Sequence, residues 1–279
     1  MLSAADLRFA YGEAPVLGGV SLTVGSRALV GILGPNGSGK TTLLRMLAGH
    51  LKPDSGSVTL DGREVASLAR TALARRMAVV PQETHLAFDY SVMEMVLMGR
   101  YPHLGAFELE GPRDLAIARD ALAATHTETL EARSFDTLSG GEKQRVVIAS
   151  ALAQLDRTGG GTAREASGGI LLLDEPTASL DIAYQLDVAA LLKRLWRERE
   201  IAIVVSTHDL NFAASVCEEL VMLREGTVIA AGRTAEILTP RHIHELYGVE
   251  ADVRLHQAAG HLTVVPIGRP AAQAGRSAS

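Results

Sequence analysis

An α/β fold built on a mostly parallel, helix-covered sheet is predicted by three observations. Apolar runs of strand length recur at 28–33, 170–173 and 201–205 of the 279 residues. Helical patterns alternate with them, which is the layout of a sheet with crossover helices. The first of these runs opens into a glycine-rich turn and then a helix starting at Lys40.

Taken in order, the chain opens with short strands over Ser3 to Ala10 and Val20 to Val24, punctuated by Gly12 and by Gly18 and Gly19. These predict an N-terminal antiparallel β subdomain. The strand Ala28 to Leu33 follows, then a helix over Lys40 to Ala48 and a pair of strands at Ser57 to Leu60 and Met77 to Val80. From Ser91 to Ala153 the pattern is helical, with Gly and Pro breaks between Gly99 and Pro112, so a helical subdomain is expected over about 88–154. Beta character returns at Ile170 to Leu173. The helix after it carries Val188, Leu191, Leu192 and Leu195 at i, i+3, i+4 and i+7, a stripe suited to packing on a sheet. A strand at Ile201 to Ser206, a helix at Asp209 to Cys217 and a hairpin about Glu225 and Gly226 continue the alternation. Strands at Asp252 to His256 and His261 to Val265 are expected to close a single domain over 1–267, with a polar, disordered tail over 268–279.

Composition narrows the class of function. The only cysteine, Cys217, excludes an intrachain disulfide and is read as a buried apolar side chain. The N-terminal residues lack a signal-peptide layout, and no segment approaches the ~20 apolar residues of a membrane span, so any membrane association is expected to come through a partner. A net charge of −5 argues against nucleic acid as a partner. Arg194, Arg197 and Arg199 with Glu198 and Glu200 read as a charged helix end, and His242, His244, His256 and His261 as solvated surface.

The chemistry lies in three motifs. Gly34-Pro35-Asn36-Gly37-Ser38-Gly39-Lys40-Thr41 matches G-x-x-x-x-G-K-[ST] between a strand and a helix. Its backbone N–H groups and the helix N-terminus face phosphates, Lys40 neutralises the β- and γ-phosphates, and Thr41, followed by Thr42, ligates Mg²⁺. Asp174 and Glu175 leave a strand at its carboxyl end, where Asp174 is expected to hold Mg²⁺ and Glu175 to act as general base on water. Leu138-Ser139-Gly140-Gly141-Glu142 begins a helix and forms a second anion-facing N-terminus with Ser139 as cap.

The order of these motifs resembles the ABC transporter ATPase family over about residues 3 to 240, and implies its P-loop NTPase core. The resemblance implies that Ser139, Gly140 and Gly141 cap the γ-phosphate bound by the opposite subunit of a homodimer. It implies that Tyr11 stacks on adenine, that Gln82 senses Mg²⁺ and the attacking water, and that His208 is the switch histidine. Ser179-Leu180-Asp181 resembles the loop that crosses the dimer interface. Glu142 departs from the family's usual glutamine, as also happens among iron-chelate and haem importers. The activity implied is Mg-ATP hydrolysis coupled to transport by two membrane permease subunits at the cytoplasmic face of the inner membrane, fed indirectly by a periplasmic or extracellular binding protein.

Gly99-Arg100-Tyr101-Pro102-His103 resembles a segment of iron-siderophore, haem and vitamin B12 importers, in the region that faces the membrane subunit. The long stretch Gln154 to Gly169, with Gly159-Gly160-Gly161, is similar to haem-importer ATPases and favours haemin over ferric siderophore or vitamin B12. A soluble ABC ATPase of translation or DNA maintenance fits less well, because the interval between the first two motifs holds no heptads. A regulator without catalysis conflicts with Glu175 and His208.

Overall fold

In a computed structural model of the chain, residues 1–84, 87–156 and 168–269 are described. The central sheet has six strands in the order β10-β9-β3-β8-β7-β6. These are β3 (Leu29–Leu33), β6 (Met77–Val80), β7 (Ile170–Asp174), β8 (Ala202–Thr207), β9 (Glu219–Arg224) and β10 (Thr227–Arg233). All neighbours are parallel except β10, which folds back antiparallel on β9 through the turn at Glu225 and Gly226.

The strand period explains why the parallel strands are continuously apolar. Leu29, Leu33, Leu171, Leu173, Ile203, Val205, Leu220 and Met222 belong to one buried cluster, and the alternate residues Val30, Ile32, Ile170, Leu172, Ala202, Val204, Val221 and Leu223 to another. Both faces of the sheet are covered, so neither set of side chains can be polar. Helices α5 (Gly140–Leu155), α6 (Ile182–Glu198) and α7 (Leu210–Val216) supply the first cluster, and the stripe Val188, Leu191, Leu192 and Leu195 lies buried in it as expected. The second cluster is closed by α1 (Lys40–Leu47) and by an antiparallel sheet of order β2-β1-β4-β5. That sheet comprises β1 (Leu2–Tyr11), β2 (Ala14–Val24), β4 (Ser55–Leu60) and β5 (Arg63–Glu64).

Two sequence expectations are corrected. Gly18 and Gly19 do not end a strand; they lie inside β2, at irregular register with β1. The runs at 57–60 and 77–80 are not partners: β4 pairs with β1, whereas β6 lies at the edge of the parallel sheet beside β7. The helical stretch resolves into α3 (Val92–Leu97), a 3₁₀ turn over Met98–His103, α4 (Pro112–Ala124) and α5, joined by further short turns.

Three helical pieces and a longer hairpin complete the chain: α2 (Arg70–Ala74), α8 (Thr234–Ile237) and α9 (Pro240–Tyr247), with β11 (Glu250–His256) paired to β12 (His261–Gly268). α9 begins at Thr239, whose hydroxyl accepts from His242 N–H, and ends at Gly248 in the left-handed conformation. The expected tail starts one residue early, since Gly268 closes β12, and 270–279 lie outside the described residues. No described helix is long and apolar enough to cross a membrane.

Candidate active site

The site forms where β3, β7 and β8 end on the same edge of the sheet, as parallel strands require. The turn after β3 is wedged between its neighbours: Gly34 N–H donates to Thr207 O at 3.2 Å, and a Cβ on Gly34 would stand 2.2 Å from Leu223 O. Any side chain there pushes the loop out of place. Gly39 carries a φ of 101° at the N-cap of α1, a conformation that glycine adopts without strain. The turn of the β9–β10 hairpin ties the loop to the antiparallel sheet, because Gly226 N–H donates to Ser38 O and Gly226 O accepts from Gly18 N–H.

Lys40 is 5% exposed and folds back over the loop, donating to Gly34 O at 2.9 Å and Pro35 O at 3.1 Å. Its ammonium also meets Glu175 Oε1 at 3.0 Å, and the other carboxylate oxygen, Oε2, meets His208 Nδ1 at 3.0 Å. Lys40, Glu175 and His208, from three separate motifs, are thus one connected group. Thr41 is partly exposed on the first turn of α1 and Thr42 is buried behind it. Ser38 Oγ is buried and has no hydrogen-bond partner among the described residues. An unpaired buried hydroxyl in a loop of inward-curled backbone suits an anionic, oxygen-rich ligand.

Glu175 owes its aim to a backbone the sequence does not announce. Its φ is 44°, a left-handed conformation that costs a non-glycine residue roughly 1–3 kcal/mol and persists only where the surroundings enforce it. Ser206 does so: Glu175 N–H donates to Ser206 O at 3.2 Å and to Ser206 Oγ at 3.0 Å. Ser206 Oγ in turn donates to Asp174 Oδ1 at 2.6 Å. One fully buried hydroxyl therefore orients both acidic residues. Its signal was faint, a hydroxyl pair, Ser206 and Thr207, ending an apolar strand.

The remaining predicted residues lie around this group. Gln82 is exposed after β6, the strand beside the one that ends in Asp174. Tyr11, half exposed at the end of β1, packs edge-on against Phe9 with ring centroids 4.8 Å apart. Ser139, Gly140 and Gly141 start α5 against the 180–184 segment. Leu180 is 3.4 Å from where a Cβ on Gly140 would stand, and the Tyr184 ring leaves no room for one on Gly141. Ser139 and Glu142 form a reciprocal capping box, Glu142 N–H to Ser139 Oγ at 3.3 Å and Ser139 N–H to Glu142 Oε2 at 2.8 Å. Glu142, the departure from the expected glutamine, thus has a local structural task. That backbone bond holds its carboxyl below the ordinary glutamate value.

Two members of the 99–103 segment turn inward. Arg100 is buried, donating to Ala153 O at 2.7 Å, Asp156 O at 2.9 Å and Asp114 Oδ1 at 3.0 Å, and His103 Nε2 lies 2.7 Å from Gln154 O. These groups satisfy the free carbonyls at the end of α5. Tyr101 is the exposed member. Gly159, Gly160 and Gly161 of the long stretch lie outside the described residues. Among the described residues no group of three or more His, Cys, Asp or Glu is arranged to hold a metal ion. Cys217 is buried, which with Glu218 pushes its thiol up to about 12.

A helix that begins on a glycine turn and returns its lysine over that turn defines a P-loop nucleoside-triphosphate-binding protein. The ABC transporter family profile matches residues 17–178. The chain belongs to that family, as an ATP-hydrolysing ATP-binding domain. It is 43% identical over 257 residues, 91% of this chain and 95% of the other, to a hemin import ATP-binding protein of Bordetella pertussis. A cobalamin import ATP-binding protein of Halobacterium salinarum is 38% identical over 90% of this chain and 60% of its own length. Among solved structures, an inward-facing metal-chelate type ABC transporter superposes with a TM-score of 0.79 at 29% identity, covering 95% of this chain and 96% of that one. The dimeric structure of a bacterial ABC transporter cassette does so at 0.70 and 29% identity, covering 84% and 99%.

Proposed function

We propose that this chain is the ATPase that powers haem import, working as a homodimer on two membrane permease subunits at the cytoplasmic face of the membrane. A binding protein outside that membrane delivers the haem. The observation that carries the cargo is the 43% identity to a hemin import ATP-binding protein across nearly the whole of both chains.

Bound Mg-ATP supplies the γ-phosphoryl group and, in the cation, a partner for its charge. The N–H groups of the 34–41 loop bind phosphate oxygens at the positive end of α1, and Lys40 neutralises them. The Thr41 hydroxyl, the Asp174 carboxylate and the Gln82 amide are hard oxygen donors of the kind Mg²⁺ takes alongside phosphate and water. Glu175 accepts the proton of the attacking water, and His208, 3.0 Å from it, orients that carboxylate and the water. Tyr11 offers an exposed ring to adenine, and Ser139, Gly140 and Gly141 serve the nucleotide held by the partner copy. Exposed Ile182 and Leu186, on the α6 turns beside the Ser179-Leu180-Asp181 loop, support a surface that a second copy covers.

The deciding experiment reconstitutes the chain with its copurifying permease and measures phosphate release. Haem-loaded binding protein is expected to stimulate it. Stimulation by a ferric siderophore complex or by cobalamin alone overturns the choice of cargo. Cobalamin is the second reading, favoured by the 38% identical relative, although that match spans only 60% of the relative.

A further inference from the structure

Residues beyond Arg233 carry none of the motifs, yet they end against the switch histidine. Tyr247, the last residue of α9, donates its hydroxyl to His208 O at 2.9 Å. The other polar atom of that peptide, Asp209 N–H, donates to Thr207 Oγ1 at 3.0 Å. The peptide link after His208 is therefore fixed at both its carbonyl and its N–H. Next along the chain, Asp209 caps α7 by accepting from Asn211 N–H and Phe212 N–H. Asn211 then pairs with both backbone groups of Val264 on β12, donating to its carbonyl at 3.1 Å and accepting from its N–H at 2.8 Å.

The His208 imidazole has little else to hold it. It is 47% exposed, and its side-chain partner among the described residues is Glu175. Where packing leaves a ring free, the orientation of its backbone decides where it points. By anchoring the His208 carbonyl, the Tyr247 hydroxyl limits how far the backbone that carries the ring can shift relative to Glu175. Burial, with Asp209 and Glu175 nearby, drives the Tyr247 hydroxyl's pKa upward, so it remains a donor across the working pH range.

We infer that Tyr247 is a positioning residue for ATP hydrolysis, acting through His208, and that α9 with the β11–β12 hairpin braces the switch segment. The proposal rests on the catalytic reading of His208 given above. It assigns a task to the C-terminal hairpin, whose own sequence names none.

The test uses the full-length chain with Tyr247→Phe, His208→Ala and the double variant, read by single-turnover kinetics and by amide exchange without nucleotide. Tyr247→Phe keeps the ring and removes one neutral hydrogen bond, so kcat is expected to fall about threefold to tenfold, with KM for ATP unchanged. Amide exchange at 209–212 is expected to quicken several-fold. On the His208→Ala background the same change is expected to do nothing further, because a residue acting through His208 has no route left. Parent kcat in Tyr247→Phe, or an equal fold-loss on both backgrounds, overturns the proposal. Parent kcat in His208→Ala overturns instead the reading of His208 on which it rests. Should Tyr247→Phe unfold more than about 5 °C early, Asn211→Ala loosens the same segment from β12. It is expected to lower kcat and to be silent on His208→Ala, and additivity there also sinks the idea.

Discussion

Glu175→Gln separates binding from chemistry, and the structure sets the size of both effects. Glu175 and Lys40 face each other at 3.0 Å with side chains 12% and 5% exposed. At an effective dielectric of about 20 their attraction is about 5 kcal/mol, most of which is offset by the cost of desolvating both charges. A net hold of about 1–2 kcal/mol is left, and a neutral amide gives it up. Phosphate and Glu175 compete for the same ammonium, so the variant is expected to bind ATP about tenfold more tightly than the parent. Without nucleotide its thermal midpoint is expected to fall by a few degrees, about 2–4 °C per kcal/mol in a domain of roughly this size. Removing the general base lowers turnover at least ~100-fold. Titration calorimetry gives the affinity and phosphate release the rate. Parent-rate hydrolysis refutes the base assignment, and unchanged or weaker ATP binding refutes the competition for Lys40.

Two further changes test the scaffold of the site. Arg100→Ala strands the Asp114 carboxylate and the carbonyls ending α5, and is expected to cost about 3 kcal/mol or more, seen as a lower thermal midpoint. Burial raises the Asp114 carboxyl, but the bonds from Arg100 and Gly111 N–H outweigh it and hold the group below the ordinary aspartate value. A depressed value contributes stability that is present above about pH 4 and lost as pH falls through the folded value. The gap between parent and Arg100→Ala is therefore expected to narrow below about pH 4 in acid unfolding curves, and a constant gap contradicts the pairing. Gly34→Ala places a methyl 2.2 Å from Leu223 O and is expected to weaken ATP binding more than tenfold, by titration, at a stability cost of about 1–3 kcal/mol. Retained affinity shows that the loop has room the geometry denies.

Much of the fold was legible because burial on both sheet faces writes itself as unbroken apolar runs, as at 170–173 and 201–205. The places where reading failed have the opposite character. Gly18 and Gly19 look like a turn, but the irregular β1–β2 register accommodates them within a strand. α9 was passed over although Thr239, Pro240 and Gly248 mark its ends, because only Ile243 and Leu246 of its eight residues are buried and the stripe is short. The 99–103 segment carried only a resemblance and no sign of its contacts. Tertiary packing turns Arg100 and His103 inward onto carbonyls of α5 some fifty residues later, a distance no local pattern encodes.

The sequence by itself determined the phosphate loop, the acidic pair and the capped start at Ser139. Each is a local constraint: a glycine where backbone must approach a ligand, a lysine at fixed offset, a hydroxyl one residue before a helix. Only the tertiary structure decided how they meet. Lys40, Glu175 and His208 come from motifs more than thirty residues apart and touch because three parallel strands end on one edge of the sheet. The bond from Glu175 N–H to Ser206 that holds its strained φ, the bond from the Ser206 hydroxyl to Asp174 and the Tyr247 bond to His208 are long-range hydrogen bonds between common residue types. Such bonds leave no periodicity and no motif, because their energy depends on where the chain returns and not on what stands beside them in sequence.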